Sequence, residues 1–142
     1  MSFNENKRIV QLIDETYNKG NLENTSRFVT SDFIYHARGE DIEGVEAYNE
    51  WVSLDRSIFP DITFTILETI AESDKAATAF IVKGTHEKEF RVIPATHKKF
   101  ETVGVIIFHF RNNKIKEGWV VVDGLTAVLQ IWANKIANAG SG

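Results

Sequence analysis

Cysteine is absent from this chain of 142 residues, and positive charge is scarce: 16 basic and 20 acidic side chains give a formal net charge of −4. Without cysteine the protein has no disulfide, no thiolate nucleophile and no thiolate metal site, which fits a reducing compartment, and we expect a cytoplasmic protein. Binding to a phosphate backbone or an anionic membrane depends on clustered basic residues, and the sequence has no basic stripe. Nucleic acid and membrane are therefore not expected partners.

Long hydrophobic runs and the common cofactor motifs are also missing. The first eight residues are polar, unlike a signal peptide, and no later run approaches the roughly 20 apolar residues of a membrane span. G-x-S-x-G, a phosphate-binding glycine loop and the dinucleotide fingerprint do not occur. The four histidines show neither i, i+4 nor His-x-His pairing, so no metal site is expected. What is present is a 43% hydrophobic, 11% aromatic composition, sufficient for one domain with a core.

Apolar residues at helical spacing occupy the first 60 residues. They predict three helices, carrying Ile9, Val10, Ile13 and Tyr17, then Leu22, Phe28 and Val29, then Val45, Tyr48, Val52 and Phe59. Gly20 and Pro60 end the first and third helices, because glycine favours a C-terminal cap and the residue before proline avoids helical geometry. Asn21 is the expected cap of the second. Between the second and third we expect a short strand at 32–36 and a polar loop at 37–43.

From Ile62 onwards the apolar period changes to two, which indicates strands. The expected strands cover 62–70, 76–90, 100–110 and 115–122, with Asn112-Asn113 as a hairpin turn and a closing helix at 125–136. Helices followed by sequence-adjacent strands are typical of an α+β fold, here a curved antiparallel sheet wrapped around the N-terminal helices. We expect one domain at 1–137, with 138–142 as a tail outside it.

Several short motifs occur in a fixed order along the chain. They are Phe59-Pro60-Asp61, Ile70-Ala71-Glu72, Gly84-Thr85-His86, Glu89-Phe90, Ile93-Pro94-Ala95-Thr96, Asn113-Lys114-Ile115, and Glu117, Trp119 and Asp123. Over roughly residues 5–132 the chain resembles the SnoaL-like polyketide cyclase family. The resemblance implies the nuclear transport factor 2-like fold, a cone of sheet and helices around a deep apolar pocket, which often forms dimers through the sheet.

The cyclases of this family close a ring by intramolecular aldol condensation, with an aspartate as acid and base and without metal or cofactor. Anchored on the hairpin at Asn113, the resemblance puts that aspartate at Val120. It puts the cyclases' pocket histidine and glutamine at Ile106 and Gly104, and their pocket asparagine near Tyr35. None of these residue types is kept, so the aldol activity is not expected to transfer.

Strand alternation predicts an apolar pocket wall at the positions that the resemblance assigns to the cyclases' polar residues. If Arg111-Asn112-Asn113 forms a three-residue loop, Ile106 faces Gly118 and Gly104 faces Val120. These four share one side of the sheet with Val122. A pocket lined in this way predicts an apolar or aromatic small molecule as the ligand, bound by burial of its surface.

The polar candidates each carry two interpretations. Asp123 is either a base at the pocket mouth or the N-cap of the last helix, since Asp-Gly-Leu-Thr is good capping sequence. His86 either points into the pocket as a base or is a structural histidine. Tyr35 and His36 are expected at the pocket mouth or on a surface loop, and Trp51 is either pocket lining or core.

Three functions remain open at this stage. The first is a protein that binds an apolar ring compound without turnover. The second is a cofactor-free cyclase or isomerase that moves a proton beside a carbonyl, with Asp123 or His86 as the base. The third is a structural homodimer with a vestigial pocket, formed through the outward sheet face that carries Trp119.

Overall fold

The computed structural model describes the backbone of residues 3–141 and the side chains of residues 6–132. The helices are α1 (Phe3–Ile13), α2 (Gly44–Ile58) and α3 (Gly124–Ser141). A π-helical turn, Asp14–Asn18, continues α1, and a short 3₁₀ helix, Leu22–Arg27, follows it. None of the described helices is long and apolar enough to cross a membrane.

Six strands form one curved, unclosed sheet in the order β2-β1-β6-β5-β4-β3. They are β1 (Val29–Ala37), β2 (Glu40–Glu43), β3 (Thr63–Glu72), β4 (Lys75–Thr85), β5 (Lys99–Arg111) and β6 (Lys114–Val122). Neighbours pair antiparallel except β1 and β6, which run parallel. The predicted α+β class, with helices against a curved sheet, is confirmed.

Three local predictions differ from the structure. The residues expected as a polar loop at 37–43 form a tight turn and strand β2, because Arg38 and Gly39 both take positive φ (48° and 79°) and reverse the chain. The second helix is only the 3₁₀ segment, and Asn21 makes no capping bond because its amide instead donates to Glu15. The strand expected at 76–90 ends at Thr85.

The hairpin between β5 and β6 corrects the expected register. Asn112 and Asn113 both have positive φ (50° and 66°), so the loop holds two residues and Arg111 pairs with Lys114. A bulge between His109 and Phe110 then shifts the pairing by one more residue. Gly104 therefore pairs with Val122, Ile106 with Val120 and Phe108 with Gly118. The five residues predicted to share one side of the sheet do share it. The partners of Gly104 and Ile106 on β6, however, lie two residues further along that strand than predicted.

The core lies between the inner face of the sheet and helices α1 and α2. Its fully buried side chains include Ile9, Leu12, Phe33, Tyr48, Val52, Phe80, Phe108 and Ile115. Four aromatic rings contact one another in its centre: Tyr48 meets Tyr17, Phe33 and Tyr35 edge to face, with centroids 5.1 to 6.5 Å apart. This cluster fills one end of the space inside the curved sheet and leaves the other end unfilled.

Candidate functional site

A cavity of about 600 Å³ occupies the unfilled end of the cone. The wall is mostly apolar and comes from five strands (β1 and β3 to β6), from α2 and the start of α3, and from the segments that follow α2 and β4. Its apolar members include Ala37, Phe59, Ile62, Phe64, Val82, Phe100, Val120, Val122, Val128 and Ile131. A space of this size and lining is what a small organic ligand fills in proteins.

One carboxylate, that of Asp55, stands in this wall. Asp55 belongs to the buried stripe of α2. Val52 follows Tyr48 by four residues and Asp55 follows Val52 by three, which puts all three on one face of the helix. The residue is 5% exposed. Burial raises the pKa of its carboxyl group, and the guanidinium of Arg38 opposes part of that rise. Asp55 is thus a buried acid of the wall whose carboxyl group is a stronger proton acceptor than an exposed aspartate.

Arg38 holds that carboxylate from the turn between β1 and β2. Its Nη2 donates to Asp55 Oδ1 at 2.9 Å. The guanidinium carbon also lies 4.1 Å from the ring centroid of Trp51 and 5.6 Å from that of Phe90, so two aromatic faces flank the cation. The left-handed backbone at Arg38 turns its side chain back over the cavity.

Two tyrosines supply hydroxyl groups to the same wall. Tyr17 comes from the π-helical turn and Tyr35 from the inner face of β1. Burial raises the pKa of both phenols, and the negative charge of Asp55 raises both further. A hydrogen bond between the two phenols raises the pKa of Tyr17 and lowers that of Tyr35, as expected when Tyr17 donates and Tyr35 accepts. Both phenols stay protonated at physiological pH, and Tyr35 keeps its own O–H group to donate to a ligand. Tyr48 is not available in the same way, because its hydroxyl is paired with Thr16 Oγ1 at 2.9 Å.

Four of the predicted site residues line the cavity. Tyr35, Trp51, Val120 and Val122 are all in the wall. Val120 is the position that the resemblance assigns to the cyclases' catalytic aspartate. A valine side chain therefore faces the cavity there, and the carboxylate in the wall comes from Asp55 on a different element.

Gly104, Ile106 and Gly118 share the inner face but do not line the cavity. A Cβ on Gly104 would lie 2.5 Å from the Phe80 ring, and one on Gly118 would lie 3.4 Å from the rings of Phe108 and Tyr35. Ile106 is 2% exposed. These positions are small or buried because core aromatic rings cover them, so this part of the sheet belongs to the core.

Asp123 caps the N-terminus of α3, which is the second of the two roles considered for it from the sequence. The backbone N–H of Thr126 donates to Asp123 Oδ1 at 3.0 Å, and the Thr126 hydroxyl donates to Oδ2 at 2.6 Å. These two bonds lower the pKa of the carboxyl group. Asp123 is exposed at the start of α3 and is not among the described residues that line the cavity. A carboxylate held at low pKa in this way is a poor base.

His86 is fully buried beside the turn that follows β4. The Thr96 N–H donates to its Nδ1 at 3.3 Å, which leaves the proton of the neutral ring on Nε2. Nε2 has no partner in the described part of the chain, and burial lowers the pKa of the ring. The ring lies 6.0 Å from the ring of Phe59, centroid to centroid, at a tilt of 38°, and it is absent from the described cavity wall. Its contacts are those of a structural histidine.

His36 lies on the opposite side of β1 from Tyr35, as strand alternation requires. Its ring nitrogens are each 2.6 Å from a carboxylate oxygen, Nδ1 from Asp41 and Nε2 from Glu117. The ring stacks on Trp119 with centroids 5.1 Å apart. Glu117 and Asp41 raise the pKa of this imidazole. His36 thus ties β1, β2 and β6 together on the outer face and does not reach the cavity.

Among the wall residues that were not predicted as site residues are Tyr17, Arg38 and Asp55. They come from three separate elements, whose meeting depends on the tertiary fold. One signal for Asp55 was present in the sequence, since it is an acid at a core-facing position of an amphipathic helix. Among the described residues, no group of three histidines or acids is placed to hold a metal ion.

Comparison with known proteins identifies the family. The family model described as SnoaL-like polyketide cyclase matches residues 7–131. A putative polyketide cyclase from Streptomyces antibioticus, IdmH, is 26% identical with a TM-score of 0.78, over 89% of this chain and 97% of that one. No curated protein sequence matches the chain.

Two further solved structures share the fold at lower identity. A putative SnoaL-like polyketide cyclase from Jannaschia sp. is 18% identical, with a TM-score of 0.82 and 92% coverage of both chains. AclR from Streptomyces galilaeus, called a putative hydroxylase, is 17% identical, with a TM-score of 0.76 over 89% of this chain and 94% of that one. The fold by itself therefore does not specify the reaction. With 7–131 matched by the family model, the chain belongs to the SnoaL-like polyketide cyclase family.

Proposed function

We propose that the protein binds an apolar, ring-containing small molecule inside the cavity. The observation that carries this proposal is a space of about 600 Å³ walled by aliphatic and aromatic side chains. Burial of an apolar ring there is favourable by about 25 cal/mol per Å² of apolar surface removed from water. The hydroxyl groups of Tyr17 and Tyr35 and the Arg38–Asp55 pair would fix the ring's orientation through its polar substituents.

A tryptophan scan of two positions tests this proposal. Val120→Trp places an indole in the cavity, whereas Leu67→Trp places one at an exposed position of β3, outside the described wall. We expect naphthol to bind the wild type and Leu67→Trp, measured by its fluorescence, and to lose at least tenfold affinity for Val120→Trp. Equal binding to all three proteins would contradict the proposal. Circular dichroism checks that both variants fold.

A second candidate function is cofactor-free proton transfer beside a carbonyl. The observation that favours it is the buried carboxyl group of Asp55, which is the acid in the described cavity wall. Burial raises the pKa of this group. In this reaction an α C–H bond of the ligand breaks, the proton passes to Asp55, and the electron pair moves to the carbonyl oxygen as an enolate. A hydrogen bond from Tyr35, which itself accepts one from Tyr17, would stabilise that oxyanion.

The enolate has two onward routes in the same cavity. If the ligand is a β,γ-unsaturated ketone, the enolate is a dienolate, and return of the proton from Asp55 to its γ-carbon completes an isomerisation. Attack of the enolate carbon on a second carbonyl of the same molecule closes a ring, and the new alkoxide takes the proton. Either route is redox-neutral, and Asp55 ends each cycle in its starting state. Geometry favours Asp55 for this role over Asp123 and His86, which the described wall does not include.

Hydrogen–deuterium exchange at the α-carbon of a bound cyclic ketone, tetralone, tests the second candidate. We expect the wild type to accelerate exchange and Asp55→Asn to lose most of that acceleration, since an amide cannot take the proton. Asp123→Asn and His86→Gln are the matched comparisons and are expected to keep it. Loss of exchange in either of these with retention in Asp55→Asn would reassign the base, and no acceleration by the wild type would leave ligand binding as the function.

A homodimer through the outer face of the sheet is part of the proposal. The observation in its support is a row of exposed apolar side chains on the outer face of the sheet, Ile70, Val103, Val105 and Ile107. Exposed apolar surface of this kind marks association sites. Sedimentation analysis is expected to show a dimer that Val105→Lys converts to a monomer. A monomeric wild type would contradict this part, and a dimer that binds none of the aromatic probes would indicate a purely structural role.

A further inference from the structure

The charged groups of the cavity wall are two guanidiniums and one carboxylate. They belong to Arg38, Arg91 and Asp55. Asp55 is paired with Arg38 at 2.9 Å, so the pair contributes little net charge, and Arg91 remains. The wall is therefore positive in a protein whose overall formal charge is −4. A cleft of one sign inside a surface of the other sign concentrates ligands of opposite charge.

Arg91 stands at the mouth of the cavity on a tight turn. Phe90 and Ile93 exchange two backbone hydrogen bonds of 2.9 Å across that turn. The two residues between them, Arg91 and Val92, have φ of 49° and 59°. Glycine, asparagine or aspartate ordinarily fills such positions, and a β-branched residue there is an outlier. Strained backbone of this kind is found at ligand sites, where it holds a side chain in place.

The guanidinium of Arg91 has no acidic partner within salt-bridge distance in the part of the chain that the structure describes. Its recorded contact is with the ring of Phe90, 5.5 Å from the guanidinium carbon. The nearest acids in sequence are Glu89 and Glu87, and Glu87 is bonded to His97 at 2.9 Å. Arg91 is thus a cation that lines the cavity, is exposed at its mouth and is not neutralised.

We propose that the ligand is amphiphilic, with an apolar ring body inside the cavity and an anionic group, such as a carboxylate or sulfonate, bound by Arg91 at the mouth. This inference rests on the proposed ligand-binding function and specifies the ligand class. The geometry supports this orientation because apolar wall residues such as Val82 and Ile131 are buried, whereas Arg91 is exposed. Guanidinium presents paired N–H donors that match the two oxygens of a carboxylate.

A pair of fluorescent probes that differ only in charge tests the inference. Anilinonaphthalene sulfonate carries the anionic group, and N-phenyl-naphthylamine is the same ring system without it. Each is titrated against the wild type, Arg91→Gln, Arg91→Lys and Lys88→Gln. Lys88 is the matched control, because it is an exposed cation of the same segment that does not belong to the described cavity wall.

We expect the wild type and Lys88→Gln to bind the anionic probe about tenfold more tightly than the neutral one, the ratio expected for one charge-assisted hydrogen-bonded contact. Arg91→Gln should abolish that preference without changing the affinity for the neutral probe. Arg91→Lys should restore part of it. The preference should also weaken between low and high salt.

Two results would overturn the inference. The first leaves the proposed ligand-binding function intact, and the second does not. If the neutral probe binds and the anionic probe shows no preference, or if Arg91→Gln weakens both probes equally, the assignment to Arg91 is wrong while ligand binding stands. If neither probe binds the wild type, the ligand-binding function fails together with the inference. Fluorescence competition by naphthol establishes that both probes occupy the cavity.

Discussion

Replacement of Arg38 by methionine would remove the one cation that holds the Asp55 carboxylate in the cavity wall. The Arg38 Nη2 is 2.9 Å from Asp55 Oδ1, and the two side chains are 33% and 6% exposed. Methionine keeps an unbranched side chain that can still pack on the Trp51 ring. The change therefore removes the charge and the hydrogen bond with little loss of packing.

The size of the effect follows from this geometry. Two charges about 4 Å apart attract by about 4 kcal/mol at an effective dielectric constant near 20. Because Arg38 is one-third exposed, solvent screens part of that attraction. Loss of one partner also leaves the other charge buried without compensation. We expect Arg38→Met to lower the free energy of unfolding by about 2 kcal/mol at neutral pH.

The pH dependence of this loss has a definite sign. Burial raises the pKa of Asp55 above the ordinary value of 3.8. A carboxyl group whose pKa is higher in the folded than in the unfolded state destabilises the fold as pH rises from the unfolded pKa through the folded pKa. Removal of Arg38 raises the folded pKa further. The loss should therefore be small below pH 3.8 and grow as pH rises.

Urea denaturation followed by tryptophan fluorescence, at a series of pH values, measures this loss. The wild type, Arg38→Met, Asp55→Asn and the double variant form a cycle that isolates the pairwise energy. In the Asp55→Asn background, Arg38→Met should lower the free energy of unfolding by much less, and this loss should not depend on pH. An equal loss at every pH, also present in that background, would refute the assignment of a charged pair in the cavity wall.

Three further predictions concern the surroundings of the site. Gly104→Ala should lower the free energy of unfolding by about 2 to 3 kcal/mol in denaturation experiments, because its Cβ would lie 2.5 Å from the Phe80 ring, while Gly118→Ala, with 3.4 Å available, should cost less. Asp123→Ala should lower the Tm by removing a helix cap, and it should leave naphthol affinity unchanged; a loss of binding would return Asp123 to the site. The folded-state pKa of His36 is raised above 6.5, so the ion pairs of its imidazolium stabilise the fold fully below pH 6.5, and this stabilisation is lost as pH rises through the raised pKa. The difference in free energy of unfolding between the wild type and His36→Gln should therefore shrink as pH rises, and a difference that grows with pH would contradict this.

The order of α1, α2 and strands β3 to β6 was predictable because the apolar period changes from helical to two near Ile62. Two details depended on backbone geometry that the pattern does not encode. Strand β2 forms because Arg38, a residue without turn propensity, takes a positive φ. The β5–β6 register depends on a two-residue turn and a bulge, each of which shifts the pairing by one residue. The two shifts add to two residues, so the predicted residues stay on the same side of the sheet.

The candidate site was predictable only where strand alternation determines it. Val120 and Val122 face the cavity as expected, and the same rule separates Tyr35 from His36, since adjacent residues of a strand point to opposite faces. Alternation could not show that Phe80, from a neighbouring strand, covers Gly104. That contact is a property of packing between strands, and it divides one inner face into core and cavity wall.

The charged part of the site could not be derived from a family motif, because the resemblance assigns the cyclases' acid to Val120, an apolar residue. Its parts come from the turn after β1, the buried stripe of α2 and the turn at Arg91, which are distant in sequence. Asp55 alone gave a local signal. An acid on the apolar stripe of a helix costs stability unless it is paired, so such a residue indicates either a buried ion pair or a functional site.

Methyl NMR of valine-labelled protein during titration with naphthol tests the central claim most directly. Val120, Val122 and Val128 line the cavity, whereas Val103 and Val105 lie on the outer face of the sheet. The account predicts saturable ring-current shifts of the first three methyl sets at one ligand per chain, with the outer-face valines unchanged. Shifts confined to Val103 and Val105, or no shifts at saturating naphthol, would contradict it.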